Sequence, residues 1–296
     1  MLHLEFAISP NQIRNMADLN LLEARFGFDK GAVLSRFPKG WFGEVSRHLT
    51  ALLNEQHIDR ATEKLRRIKE SRLVSFNRQY TGALWHEAAA TSHQAQAFHR
   101  IVDGVTDDRP HYVSDWQSLE DDDFVPNTQY ERDAASLAGA AKALLLDAEK
   151  VTIYDNYLCP TRPGCLNTLS KMMSHCQKAE VELHVFAEEE GKQDRNQRNN
   201  NLTQFSAQLP ANIRLFWYWL DDAGNGLLHQ RGLFTGKGGL VYDRGFEEPR
   251  DLDQRRTPTT ITPMPRDLLE DRSRLFNPAQ LGAGLSLVGS VWQSHP

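Results

Sequence analysis

The sequence has few cysteines, no long apolar run and none of the common nucleotide-binding fingerprints. Its three cysteines, Cys159, Cys165 and Cys176, are an odd and sparse set, which excludes a disulfide framework and fits a reducing compartment. Their spacings, with His175 nearby, match no zinc pattern, so neither a metal nor another cofactor is expected. P-loop, dinucleotide, nucleophile-elbow and kinase signatures are also absent, which excludes those enzyme classes.

Signals for a membrane location are missing as well. No stretch reaches the roughly 18 apolar residues that a transmembrane helix needs. Residues 1–20 lack a basic region followed by a long apolar core, so no signal peptide is expected. The formal net charge of −5 means that the whole molecule does not attract nucleic acid, although a local patch can. We therefore expect a cytoplasmic protein without a membrane partner.

The first half of the chain has the spacing of helices. A length of 296 residues with 40% hydrophobic residues predicts about two globular domains. Over residues 41–102, apolar side chains recur at three- and four-residue steps among good helix formers. We therefore predict a mainly helical N-terminal domain over residues 1–118. The acidic segment 119–129, which contains Pro126, is predicted to be a linker.

The second half, residues 130–296, alternates between helical and strand patterns, which predicts a largely parallel α/β sheet. Its clearest strands are the β-branched and aromatic segments 151–157, 181–187 and 212–219. Two further strands, 227–235 and 239–243, flank a tight turn and are expected to pair antiparallel. The predicted fold class is α/β, with a helical N-terminal domain followed by a mixed, mainly parallel sheet.

The hairpin in the second half carries candidate functional residues. Its sequence, LLHQRGLFTGKGGLVYDRGF, covers residues 227–246 and places His229 and Arg231 two positions apart. On a strand, those two side chains point to the same face. A histidine oriented by a carboxylate can attack phosphorus, and an arginine suits bidentate contact with phosphate oxygens. The same residues also fit an ordinary hairpin, in which the glycines serve only the turn.

This stretch resembles the histidine motif of the phospholipase D (PLD) superfamily. The motif is a histidine, any residue, a lysine, four residues and an aspartate, on a strand that ends in a turn. A divergent branch of bacterial and trafficking proteins replaces the lysine and continues with two glycines, a strand and another glycine. The corresponding positions of this sequence are His229, Arg231, Gly238, Gly239 and Gly245, with Gly236 at the position of the aspartate. The resemblance covers residues 130–280 and implies a PLD-like domain there.

The resemblance also implies roles for single residues. In the family the histidine is the nucleophile, so His229 is the provisional catalytic residue. Arg231 takes the lysine position and, with Lys237, would bind phosphate. A glycine replaces the aspartate of the motif, so Asp243 on the neighbouring strand is the substitute carboxylate that would orient the histidine. Asp155 is a further supporting residue, because it ends a predicted parallel strand, where α/β sheets place their sites. The same residue fits a cap of the following turn equally well.

Two functions remain open after these departures from the motif. The missing aspartate favours a non-catalytic or weakly active protein that binds nucleic acid or a partner protein. Family analogy places such a protein in a bacterial multi-protein system of the antiphage-defence type. The alternative is an active, metal-independent phosphodiesterase or nuclease. Because the family builds its site from two histidine motifs and this chain has one, two copies of His229 would then meet across a dimer.

A basic stripe in the first half is a second candidate contact for nucleic acid. Arg60, Lys64 and Arg67 follow one another at four- and three-residue steps, which places them on one face of a predicted helix. Such a stripe can follow a phosphate backbone. A solvated helix face has the same pattern, and the sequence leaves both interpretations open.

Overall fold

A computed structural model describes residues 1–82, 84–189 and 194–294 of the chain. The chain divides into two compact units, His3–Pro126 and Met1–Leu2 with Asn127–Pro296. Each unit contains its own β-sheet. Every helix within the described ranges is too short or too polar to cross a bilayer.

The N-terminal unit is built on a five-stranded sheet in which every pairing is parallel. Its strands are β1 (Leu4–Ile8), β2 (Ala32–Ser35), β3 (Leu73–Val74), β4 (Arg100–Val102) and β5 (Tyr112–Val113). Its α-helices are α1 (Met16–Arg25), α2 (Trp41–Leu52), α3 (Glu55–Ser71) and α4 (Trp85–Ala95). The strand order is β3-β2-β1-β4-β5, the order of a doubly wound α/β sheet.

This unit is therefore α/β rather than mainly helical, which corrects the prediction from the sequence. The helices between residues 41 and 102 are present, but β3 and β4 interrupt that range. Strands of two or three residues are too short to show an alternating pattern. The longer β1 and β2 are buried almost throughout, so their apolar residues do not alternate with exposed polar ones either.

The acidic segment 119–129 differs from the linker that was predicted, because most of it is folded onto the N-terminal unit. It contains a 3-10 turn at Asp121–Phe124. Leu119 is buried, and the ring of Phe124 stacks on that of Phe6 with 5.1 Å between centroids. Two apolar side chains thus anchor a segment whose composition is dominated by carboxylates.

The C-terminal unit is built on a larger, mixed sheet. Its strands are β6 (Gln129–Tyr130), β7 (Lys150–Tyr154), β8 (Val181–Glu188), β9 (Ile213–Asp221), β10 (Gly232–Phe234), β11 (Gly239–Tyr242), β12 (Thr259–Pro263), β13 (Ser286–Leu287) and β14 (Trp292–Gln293). Its α-helices are α5 (Ala134–Leu145), α6 (Pro163–Met173), α7 (Arg195–Ser206), α8 (Leu252–Arg256) and α9 (Arg266–Leu275). The order is β13-β9-β8-β7-β10-β11-β12-β6, with β14 also on β9.

The three strong strand predictions are confirmed as β7, β8 and β9, which pair in parallel. The remaining pairings are antiparallel, so the sheet is mixed, and the prediction that it is mainly parallel is wrong outside these three strands. The predicted strand 227–235 begins only at Gly232. Residues before it form turns, because Gly224 and Gly226 take positive φ values of 77° and 69° and reverse the chain.

The sheet brings two loops together at one edge. Gly232 pairs with Tyr154 on one side and with Val241 on the other. Because β10 is antiparallel to both neighbours, β7 and β11 run in the same direction and end at the same edge. The loops that follow these two strands therefore meet there, next to the start of α6.

Candidate functional site

A cavity of about 430 Å³ opens at this edge of the C-terminal unit. Its charged lining residues are Arg132, Arg162, Arg231, Arg244, Asp155 and Glu247. Tyr157 and Cys165 complete the lining. Four guanidinium groups thus face two carboxylates, and the cavity carries excess positive charge.

Arg231 is fixed at the wall of this cavity. Its Nη1 donates a hydrogen bond to the backbone carbonyl oxygen of Asp243 at 2.6 Å. Its Nε lies 3.6 Å from Oδ1 of Asp155, which is too long for a hydrogen bond, and this buried N–H has no acceptor. A buried donor without a partner is costly unless a ligand supplies the acceptor. The position therefore suits an anion.

Asp155 is the buried carboxylate at the carboxyl end of β7. Its Oδ1 accepts a hydrogen bond from the backbone N–H of Tyr157 at 2.8 Å, and its Oδ2 accepts one from Phe246 at 3.4 Å. Burial raises the pKa of Asp155 to about 6, although these hydrogen bonds and the charge of Arg231 act in the opposite direction. The positive charge of the cavity therefore increases as the pH falls through this range.

Gly245 allows Asp155 and Arg231 to approach each other closely. A Cβ atom at position 245 would lie 2.3 Å from Oδ2 of Asp155 and 2.9 Å from Cδ of Arg231. The residue also has a φ of 70°, in the region that favours glycine. The close approach of Asp155 and Arg231 thus explains why this position of the PLD-type pattern is a glycine.

Replacement of Gly245 by alanine should destabilise the protein by about 2 kcal/mol, because the new Cβ adds backbone strain and collides with the paired side chains. The matched control is Gly236→Ala, where an added Cβ meets no atom within 4 Å. That control should stay within about 0.5 kcal/mol of the natural protein. Urea unfolding measures the free energy of unfolding of both variants. An equal loss of stability in both would show that the collision at residue 245 is relieved at little cost.

Arg132 and Arg244 are the least compensated charges of the cavity. Neither guanidinium has a hydrogen bond or an ion pair with the residues that the structure describes. Burial lowers the pKa of Arg132, and the positive charges of Arg244 and Arg231 lower it further, while the negative charge of Glu247 acts in the opposite direction. These arginines are therefore close enough to repel one another, and an anion between them would relieve the repulsion.

The start of α6 adds to the positive potential on another side. Arg162 precedes the helix and pairs with Glu247 at 3.3 Å. The N-terminus of an α-helix carries partial positive charge and binds anions. Burial raises the pKa of the Cys165 thiol to about 12, which favours the protonated thiol at neutral pH.

His229 lies apart from this constellation. It is exposed, belongs to the turn before β10 and is not among the residues that line the cavity. Its backbone N–H donates to the carbonyl of Gly226 at 3.2 Å, while its imidazole has no hydrogen-bond partner in the described ranges. Because residue 229 precedes the strand, the expectation that His229 and Arg231 share a strand face is wrong. The expected carboxylate of Asp243 does not contact the imidazole, since only its backbone carbonyl takes part, through Arg231.

Lys237 is also separated from Arg231. It lies in the turn between β10 and β11, at the opposite edge of the sheet from Asp155. Its Nζ pairs with the carboxylate of Asp147 at 3.1 Å. The structure therefore does not bring Lys237 and Arg231 to one phosphate.

The basic stripe of the N-terminal unit lies on α3, as its helical spacing predicted. The ammonium group of Lys64 is bonded to the carboxylate of Glu23. Arg67 pairs with Glu63 at 3.3 Å. Two of the three stripe charges are thus compensated by carboxylates, in contrast to Arg132 and Arg244.

Comparison with known proteins adds no assignment to these observations. No family model matches the chain, and no curated protein matches it. The chemistry of the site is therefore the basis for a function.

Proposed function

We propose that the C-terminal unit binds phosphate groups of a nucleic acid in the arginine cavity and does not use His229 as a nucleophile. The convergence of four arginines on one open cavity carries this proposal. A guanidinium binds phosphate through two parallel N–H···O hydrogen bonds, which an ammonium cannot do. Two of these guanidinium groups, those of Arg132 and Arg244, are not engaged by another residue of the described chain.

The position of the cavity agrees with this function. Open α/β sheets bind ligands at the carboxyl ends of parallel strands, and the cavity opens at that end of β7. The PLD-like resemblance supports the same proposal in part. Arg231 and Gly245 of that motif lie at the cavity, while its histidine does not. A degenerate PLD-like unit that retains phosphate binding accounts for this pattern, and it would act with other proteins of a multi-component system.

The experiment compares the cavity with the stripe on α3. The double variant Arg132→Ala/Arg244→Ala should weaken binding of a fluorescent oligonucleotide by at least about tenfold, since the loss of even one charge-assisted hydrogen bond costs about 1.5–3 kcal/mol. The triple variant Arg60→Glu/Lys64→Glu/Arg67→Glu should stay within about twofold, because two of those charges are already paired.

Thermal unfolding is the control for the double variant. Because Arg132 and Arg244 repel each other and neither guanidinium has a hydrogen bond or ion pair with the described residues, their removal should leave the melting temperature unchanged or higher. Tight binding by the double variant together with a large loss in the triple variant would move the nucleic-acid site to α3.

A further inference from the structure

The mouth of the arginine cavity carries an exposed aromatic ring. Tyr157 is 47% exposed, while Tyr154, three positions earlier on β7, is fully buried. The hydroxyl group of Tyr157 has no hydrogen-bond partner among the described residues. The ring of Tyr157 therefore does not pack in the core, and its hydroxyl group does not hold it through a hydrogen bond to the described residues.

The ring of Tyr157 is nevertheless held in place. Its backbone N–H is bound by Asp155 at 2.8 Å. The guanidinium carbon of Arg231 lies 4.9 Å from the ring centroid, and that of Arg162 lies 6.0 Å from it. Both distances are within the range of cation–π contacts, so two arginines of the cavity lie directly beside the exposed ring.

A second surface continues from the same loop. Across residues 160–163, a groove of about 360 Å³ runs between α6 and α7. Asn167, Asn201, Gln204 and Gln208 contribute amide groups to it, and no charged residue of the described chain lines it. The side-chain N–H groups of Asn167 and Asn201 already donate to Glu248 at 2.6 Å and to the carbonyl oxygen of Pro160 at 3.1 Å, so the amides of Gln204 and Gln208 are the ones open to a ligand. Amides form hydrogen bonds with the exposed edges of bases. A neutral, amide-lined groove beside a cationic cavity suits the bases of a strand whose phosphate occupies the cavity.

We propose that Tyr157 stacks on a nucleobase next to the bound phosphate, so that the ligand is single-stranded nucleic acid. This inference rests on the proposed function, since the base is delivered by the phosphate backbone in the cavity. Every base has a face that can stack on an aromatic ring, so the contact tolerates any sequence. In a duplex, neighbouring base pairs cover those faces, and Tyr157 has no base to bind.

The test uses three fluorescent probes of about ten nucleotides, within the site sizes known for single-strand binding. They are oligothymidylate, an abasic oligomer with the same phosphodiester backbone, and a duplex. The natural protein should bind oligothymidylate about tenfold more tightly than either the abasic oligomer or the duplex, as expected for one stacked base. Tyr157→Ala should lose this preference, whereas Tyr157→Phe should keep it, because only the ring is used.

The abasic probe separates the two proposals. If Tyr157→Ala weakens binding of the abasic oligomer and oligothymidylate equally, Tyr157 only positions Arg231, and the stacking proposal is wrong while phosphate binding stands. Equal binding of duplex and single strand by the natural protein would also contradict stacking. If the natural protein binds neither oligomer, the proposed function itself fails, and the stacking proposal fails with it.

Discussion

Replacement of Arg231 by glutamate should weaken binding of a phosphodiester oligomer by at least about 100-fold, because it removes charge-assisted hydrogen bonds and puts a carboxylate beside the bound phosphate. His229→Ala should change the affinity by less than about twofold, since a residue outside the cavity gives up no contact with the phosphate there. Fluorescence anisotropy with a labelled single-stranded oligonucleotide measures both variants under the same conditions.

Arg231→Lys serves as the conservative control. It keeps the charge but loses the planar, bidentate geometry, so its affinity should lie between those of the natural protein and Arg231→Glu. Cleavage of labelled DNA and RNA is followed in parallel. Nuclease activity that disappears in His229→Ala but survives in a folded Arg231→Ala variant would restore the alternative, in which His229 is the nucleophile of a dimeric phosphodiesterase.

Asp155→Asn should bind the same oligomer about tenfold more tightly than the natural protein at pH 8, and equally well at pH 5. Burial raises the pKa of Asp155 to about 6, so at pH 8 its negative charge opposes a phosphate held by Arg231. Below that pKa the carboxyl is neutral, and the natural protein resembles the asparagine variant. The affinity of the natural protein should therefore rise as the pH falls through about 6, while that of the variant stays nearly flat.

The raised pKa of Asp155 also determines how the stability of the folded protein changes with pH. Because the pKa of Asp155 is higher in the folded protein than its ordinary value of 3.8, the folded state holds this proton more strongly than the unfolded chain. The natural protein should therefore gain stability from this group as the pH falls from above 6 towards 4.

The binding measurement on Asp155→Asn requires a phosphodiester probe, since a phosphate monoester also titrates near pH 6. A tenfold difference that persists at pH 5 would show that Asp155 acts through packing rather than charge.

Two residues of the site, Asp155 and Arg231, could be predicted from the sequence because each belongs to a short local pattern. Asp155 follows a strand that composition alone identifies, and the ends of parallel strands hold the functional groups of α/β sheets. Arg231 was selected by the PLD-type pattern, and the structure places it 3.6 Å from Asp155. The prediction for His229 was wrong because side chains two positions apart share a face only within a strand, and β10 begins at Gly232.

The remaining cavity residues depend on contacts that no local pattern encodes. Arg162 and Arg244 lie in loops, where an arginine is ordinarily a solvated side chain and attracts no notice. Arg132 is placed by β6, which pairs Tyr130 with Thr259 from a distant part of the chain. Only the folded sheet shows that these three guanidinium groups face the same space. The N-terminal sheet escaped prediction for a similar reason, since strands as short as β3 and β5 are defined by their neighbours rather than by their own sequences.

The salt dependence of binding tests the central claim, phosphate recognition by the arginine cavity, most directly. Each phosphate contact with a single strand contributes about 0.7 to the slope of log affinity against log salt concentration. Removal of Arg132 and Arg244 together should therefore make that slope shallower by about 1.4, while the triple variant on α3 keeps the slope of the natural protein. An unchanged slope in Arg132→Ala/Arg244→Ala, with the protein folded, would contradict phosphate binding in the cavity.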